Sequence, residues 1–173
     1  MNIDSIITLI SFLTISSQVL FILALPLLFI FKFAPLRRLL ADRAIELILL
    51  ISLVATSGSL FFSQVANFAP CELCWFQRIF MYPLVILFGL AWYRHEKLII
   101  DYATPLVITG WLIALYHNYI YYQASQSTIC SLNSHTSCII PYFTRFGYIS
   151  IPVMSLTAFS MIGLLLFIAK NND

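Results

Sequence analysis

Long apolar runs broken by short polar clusters dominate the chain. Five runs stand out, at about Ile6–Phe31, Ile45–Phe62 (reaching toward Val65), Ile79–Tyr93, Leu98–Tyr119 and Ile151–Ala169. Each predicts a transmembrane helix, for which about 20 residues are needed. The third is short unless the Cys71-Glu72-Leu73-Cys74 segment before it forms its first turn. Met1–Ser5 carries no positive charge, and no small-residue cleavage site follows the first run, so that run is expected to be a retained span. Pro26, Pro83, Pro105 and Pro152 fall within or at the ends of spans, where neighbouring helices recover lost backbone bonds. Ala55, Ser57, Gly58 and Ser59 put small residues in the second span and predict close helix contact there.

Two polar or mixed stretches stand between the later spans. Ser125–Cys138 is Ser-rich and reads as an exposed mobile loop. Ile139–Ser150 holds Tyr142, Phe143, Phe146 and Tyr148 beside Arg145, which suits either a segment at headgroup level or a plain loop. No internal repeat is evident.

Composition makes the membrane assignment firm. The 173 residues are 61% hydrophobic and 9% charged, against roughly 25% charged in soluble domains. The formal charge of +2 is too small to imply nucleic acid as a partner. The positions of the charges are more informative. Lys32, Arg37, Arg38 and Arg43 follow span one, Arg94 and Lys97 follow span three, and Lys170 follows span five. The positive-inside rule puts these on the cytoplasmic side. The N-terminus then lies outside, the C-terminus inside, and all four cysteines outside, where disulfides persist.

Those cysteines fall as two pairs, Cys71/Cys74 and Cys130/Cys138, neither in the middle of an apolar run. If a helix starts after Pro70, Cys71 and Cys74 share a face and Arg78 lies one turn beyond Cys74. A helix N-terminus and a guanidinium both favour the thiolate, which is the reactive species. Arg78 also suits hydrogen bonding to a quinone carbonyl, although an interfacial arginine more often simply snorkels. Cys-x-x-Cys alone is a weak signal, and zinc held by all four cysteines is an open alternative.

Around these residues the chain resembles the bacterial disulfide-bond formation protein B family, nearest its BdbC-type branch. The resemblance rests on Ser57–Gly89, with its Pro-Cys-x-Leu-Cys-Trp-x-Gln-Arg core, and on Gly147-Tyr148-Ile149-Ser150-Ile151-Pro152. It covers about Glu46 to Ala169. It implies an all-α membrane protein: a four-transmembrane-helix bundle core over residues 46–170, preceded by an extra N-terminal helix and basic loop over residues 1–45. It further implies a thiol:quinone oxidoreductase of the bacterial inner membrane, with ubiquinone or menaquinone as cofactor. Cys71 and Cys74 would be the quinone-proximal pair, with Cys74 the thiolate beside the ring. Arg78 would support quinone reduction, and His117 matches a position where the family often has histidine. Cys130 and Cys138 would face a thioredoxin-like (DsbA-like) periplasmic partner, with Cys130 forming the mixed disulfide. Electrons would pass to the membrane quinone pool, and no resident metal is implied.

Two departures stand out. The first span has no counterpart in the four-helix core, and the seven-residue gap Ser131–Ser137 is longer than the branch commonly uses. Rival readings are a vitamin K epoxide reductase-like enzyme, which usually has the reverse order of cysteine motifs, and a structural or zinc-binding membrane protein.

Overall fold

The computed structural model describes residues 3–29, 34–123 and 142–171, without the side chain of Phe29. Cys130 and Cys138, with the whole Ser125–Cys138 loop predicted around them, lie outside the described residues. Six helices make up the described chain: α1 (Ile3–Phe29), α2 (Ala34–Asp42), α3 (Ala44–Gln64), α4 (Glu72–Arg94), α5 (Ile99–Gln123) and α6 (Ile151–Lys170). All but α2 are long and apolar enough to cross a bilayer, and the protein is a multi-pass membrane protein of all-α class.

The third span resolves as the length argument requires. Cys71 is the N-cap of α4, in extended conformation (φ −73°, ψ 171°), so the cysteine motif forms its first turn. Pro26, Pro83 and Pro105 sit inside continuous helices. The basic stretch read as a loop contains α2, a nine-residue helix with no buried residue. Its Leu/Arg mixture gives no long apolar run, so span-finding passes over it.

Helices α3, α4, α5 and α6 close into a bundle: α3 packs on α4, α4 on α5, α5 on α6, and α6 back on α3. Ile48, Leu84, Phe88, Ala103, Ala114, Phe159 and Ile162 meet at its centre, each almost wholly buried. With apolar residues all round each helix, packing and cross-helix hydrogen bonds order the bundle more than hydrophobicity does. Asn118 Nδ2 ties α5 to α6 by donating to the Pro152 carbonyl at 2.9 Å, and Trp111 Nε1 donates to Ser160 Oγ at 3.0 Å. Gly110 lets the Phe159 ring lie against the α5 backbone; a Cβ there would stand 2.4 Å from the ring.

Helix α1 packs outside this bundle, on α6 and α2. Chain direction alternates from span to span. Asp4, Cys71 and Arg145 therefore share one end, whereas Arg37, Arg43, Arg94 and Lys170 share the other. Ion pairs join residues within each end, Arg145–Asp4 and Lys170–Asp101, both at 2.8 Å. At the cysteine end, residues 142–150 make a tight turn in which Arg145 and Ile149 exchange backbone bonds. Gly147 supplies its positive φ of 81°. Of the aromatics expected at headgroup level, Tyr142 stacks on Phe68 at 4.7 Å and Phe143 tilts against Phe62 at 5.5 Å. They form a lid of rings over the ends of α3 and α4.

Candidate active site

The start of α4 places two thiols side by side. Cys71 Sγ and Cys74 Sγ lie 3.1 Å apart as separate thiols in hydrogen-bond contact. Cys71 is buried and Cys74 half-buried. The Cys71 thiol is held well below the ordinary thiol range, first because Cys74 donates a hydrogen bond to it and also because His117 does; burial opposes both. The open N–H groups of the α4 N-terminus act in the same direction.

His117 comes from mid-bundle rather than from the motif. It lies near the end of α5, 2% exposed, with Nε2 3.8 Å from Cys71 Sγ. Its other ring nitrogen, Nδ1, is 3.2 Å from Gln77 Nε2. The amide of Gln77 is oriented in turn by Ser155 of α6, whose hydroxyl donates to Gln77 Oε1 at 2.8 Å. These bonds fix roles by elimination. Gln77 donates to Nδ1, so Nδ1 is the acceptor and Nε2 carries the hydrogen that faces the Cys71 sulfur. Helices α4, α5 and α6 thus contribute one polar chain, Ser155–Gln77–His117–Cys71.

Arg78 lies on the cavity side of the pair. Its Nη2 donates to the Ser59 carbonyl of α3 at 3.1 Å, and its guanidinium carbon sits 5.2 Å from the Trp75 ring centroid, as a cation–π contact. Its Nε is buried without a hydrogen-bond partner among the described residues. Such an unused donor is costly unless a further group accepts from it.

Arg78 lines a cavity of about 750 Å³, together with Cys71, Cys74, Gln77 and His117. The volume is within the roughly 300–1,000 Å³ usual for small-molecule sites. Most of the wall is apolar. Ala55, Ser57, Gly58 and Ser59, expected to bring helices into close contact, also line this space. Ala55 packs on the bundle core and Ser59 takes hydrogen bonds from Arg78 and Tyr82 of α4, whereas a Cβ on Gly58 would meet nothing within 4 Å. An apolar slot with two thiols and one unsatisfied cationic donor suits a neutral ring bearing carbonyl acceptors, as a quinone does.

The sequence-selected Cys71, Cys74, Arg78 and His117 therefore converge on one cavity. Sequence reading missed Gln77 and Ser155. A signal for Gln77 existed: Leu73, Gln77, Leu84, Phe88 and Ala91 form the buried stripe of α4, and Gln77 is its polar member. The ligand atoms of Cys71, Cys74 and His117 lie within 4.8 Å of one another, close enough for three ligands of a metal ion. Metal ligation through His117 Nε2 would require the opposite tautomer, with the Gln77 amide turned over.

Comparison with known proteins agrees with this geometry. Residues 41–169 match the family model described as disulfide bond formation protein DsbB. The chain is 39% identical over 121 residues to a probable disulfide formation protein C 1 of Bacillus anthracis, covering 70% of this chain and 87% of that one. It is 38% identical over 120 residues to the disulfide bond formation protein C of Bacillus subtilis (strain 168), covering 69% and 87%. A probable disulfide formation protein of Metapseudomonas resinovorans is 37% identical over 123 residues, covering 70% and 85%. No solved structure matches the chain significantly.

Proposed function

The chain belongs to the disulfide bond formation protein DsbB family, and on that premise we propose that it is a thiol:quinone oxidoreductase that reoxidises a thioredoxin-like disulfide donor. The observation that carries the proposal is the shared cavity: a close thiol pair, an unsatisfied arginine donor and an apolar slot of suitable volume. A quinone bound there would supply a two-electron, two-proton acceptor, reduced to quinol as the dithiol closes to a disulfide. Arg78 would hold a ring carbonyl through its unused Nε hydrogen. Tyr142 and Phe143 add aromatic wall to the same cavity.

The residues of the chain divide the remaining work. Cys71, whose thiol is held low by its contacts with Cys74 and His117, carries the negative charge of the pair. Cys71 sits at the helix cap, nearest the end of the molecule where the second pair must approach. Cys130 and Cys138 would accept electrons from the partner and pass them to Cys71–Cys74 by thiol–disulfide exchange. Cys130 would carry the mixed disulfide and Cys74 would face the acceptor.

Arg37 and Arg38 of α2 and the basic ends of α4 and α6 support a cytoplasmic placement for that end of the bundle and an extracytoplasmic one for both cysteine pairs. The membrane would be the bacterial inner membrane, and residues 46–170 would form the catalytic core.

Steady-state oxidation of a reduced thioredoxin-like protein in the presence of quinone tests the reading. Cys71→Ser and Cys74→Ser should abolish quinone reduction. Cys130→Ser should stop partner oxidation and leave quinone binding intact. Wild-type turnover in any of the three would remove the mechanism.

A further inference from the structure

Helix α1 lies wholly before residue 41, where the match to the family begins. It nevertheless reaches the reaction cavity. Ile6, Ile10, Leu13, Thr14 and Ser17 line the same space as the two thiols and Arg78. Their spacing of four, three, one and three residues is that of one helix face. Over eleven residues that face runs roughly 16 Å along the membrane normal, far deeper than a ring alone would occupy.

From this we infer that α1 is a wall of the quinone-binding cavity and holds the isoprenoid chain of a long-tailed quinone. The inference rests on the thiol:quinone reading above and extends it to a part of the chain that the family match does not reach.

Three features support it. First, α1 is fixed in place by specific contacts. Gln18 uses both ends of its amide, donating to Thr157 Oγ1 of α6 at 2.9 Å and accepting from the Tyr148 hydroxyl at 2.8 Å. Phe12 meets Phe146 at 5.0 Å. These contacts tie the helix to α6 and to the turn beside the lid. Second, the polar side chains it turns toward the slot are already satisfied. Thr14 and Ser17 donate back to the carbonyls of Ile10 and Thr14, so the wall is apolar in effect and suits a hydrocarbon tail. Third, the slot has a mouth. The close packing of α1 is with α6 and α2, and across the slot Leu50, Leu53 and Val54 of α3 both line the cavity and remain exposed. The opening between α1 and α3 faces lipid, where a prenyl quinone resides.

The test is photolabelling of the full-length protein in lipid nanodiscs with two quinone probes, one bearing an azide on the ring and one bearing a photoreactive group on its isoprenoid chain, followed by mapping of adducts by mass spectrometry. Adducts on both the Ile6–Ser17 face and the Cys71–Met81 segment are expected, and excess unlabelled quinone should remove both. Adducts on α3 or α4 with none on α1 would overturn the inference while leaving the quinone reading intact. No competable adduct anywhere in the cavity would overturn both.

Equilibrium binding gives an independent check. Ile10→Trp, which fills the slot, should weaken binding of a long-chain quinone by about tenfold or more, the loss expected when contacts worth one large apolar side chain are blocked. Leu9→Trp, on the exposed face, should leave binding unchanged. Equal affinities in the two variants would contradict the assignment.

Discussion

Replacing His117 by leucine tests the polar chain beneath the thiols. The Cys71 thiol lies below the ordinary thiol range. Its thiolate therefore predominates at neutral pH and is lost only as pH falls through the lowered value. His117→Leu removes one of the two side-chain donors facing that sulfur. A hydrogen bond to a charged group is worth about 1.5–3 kcal/mol, and one pKa unit is about 1.4 kcal/mol. The 3.8 Å contact lies at the long end for sulfur, which points to the lower figure, a rise of about 1 unit. The bond from Cys74 remains, so the value should stay below that of an ordinary thiol. The assay is anaerobic alkylation of the reduced protein across a broad pH range, with the Cys71 adduct quantified by mass spectrometry. The midpoint should move upward in His117→Leu, and by less in Gln77→Leu, where the ring remains but its orientation is released. An unchanged midpoint in His117→Leu, or a wild-type midpoint at the ordinary thiol value, would refute the reasoning.

Other outcomes follow from the same contacts. Arg78→Lys loses the unused Nε donor and should lower kcat/KM for quinone by about 10–100-fold, matching one lost charged hydrogen bond; steady-state turnover measures it. Gly110→Ala drives a Cβ into the buried Phe159 ring and should destabilise the bundle by about 1–3 kcal/mol. Gly58→Ala meets open space and should stabilise α3 by about 0.5–1 kcal/mol; thermal unfolding in detergent compares the two. Asp4→Asn breaks an ion pair whose carboxylate is 84% exposed, so by the same method its effect should fall within about 0–1 kcal/mol.

The spans were legible in the sequence because crossing a bilayer demands length and apolarity, and both are countable. Even the start of α4 followed from the shortness of its apolar run, which needed Cys71–Cys74 as its first turn. Cys71, Cys74 and Arg78 were legible because their spacing along one helix sets their neighbourhood. Contacts between helices were less accessible. The apposition of His117 to Cys71 joins residues 46 apart in the chain, and only the family resemblance pointed to that histidine. Ser155 and Gln77 bond across 78 positions without any local pattern. A helix apolar on every side gives no sign of which face turns inward. The cavity face of α1 was hidden for this reason, and so was the open space at Gly58, whose neighbour Ser59 does make the expected contact with α4.

Direct electron transfer from the thiol pair of α4 to a quinone is tested by rapid anaerobic mixing of the fully reduced, partner-free protein with quinone, followed by ultraviolet absorbance. Stoichiometric quinol formation with loss of the Cys71 and Cys74 thiols in the same phase is expected. Persistence of both thiols alongside unreduced quinone would rule such transfer out.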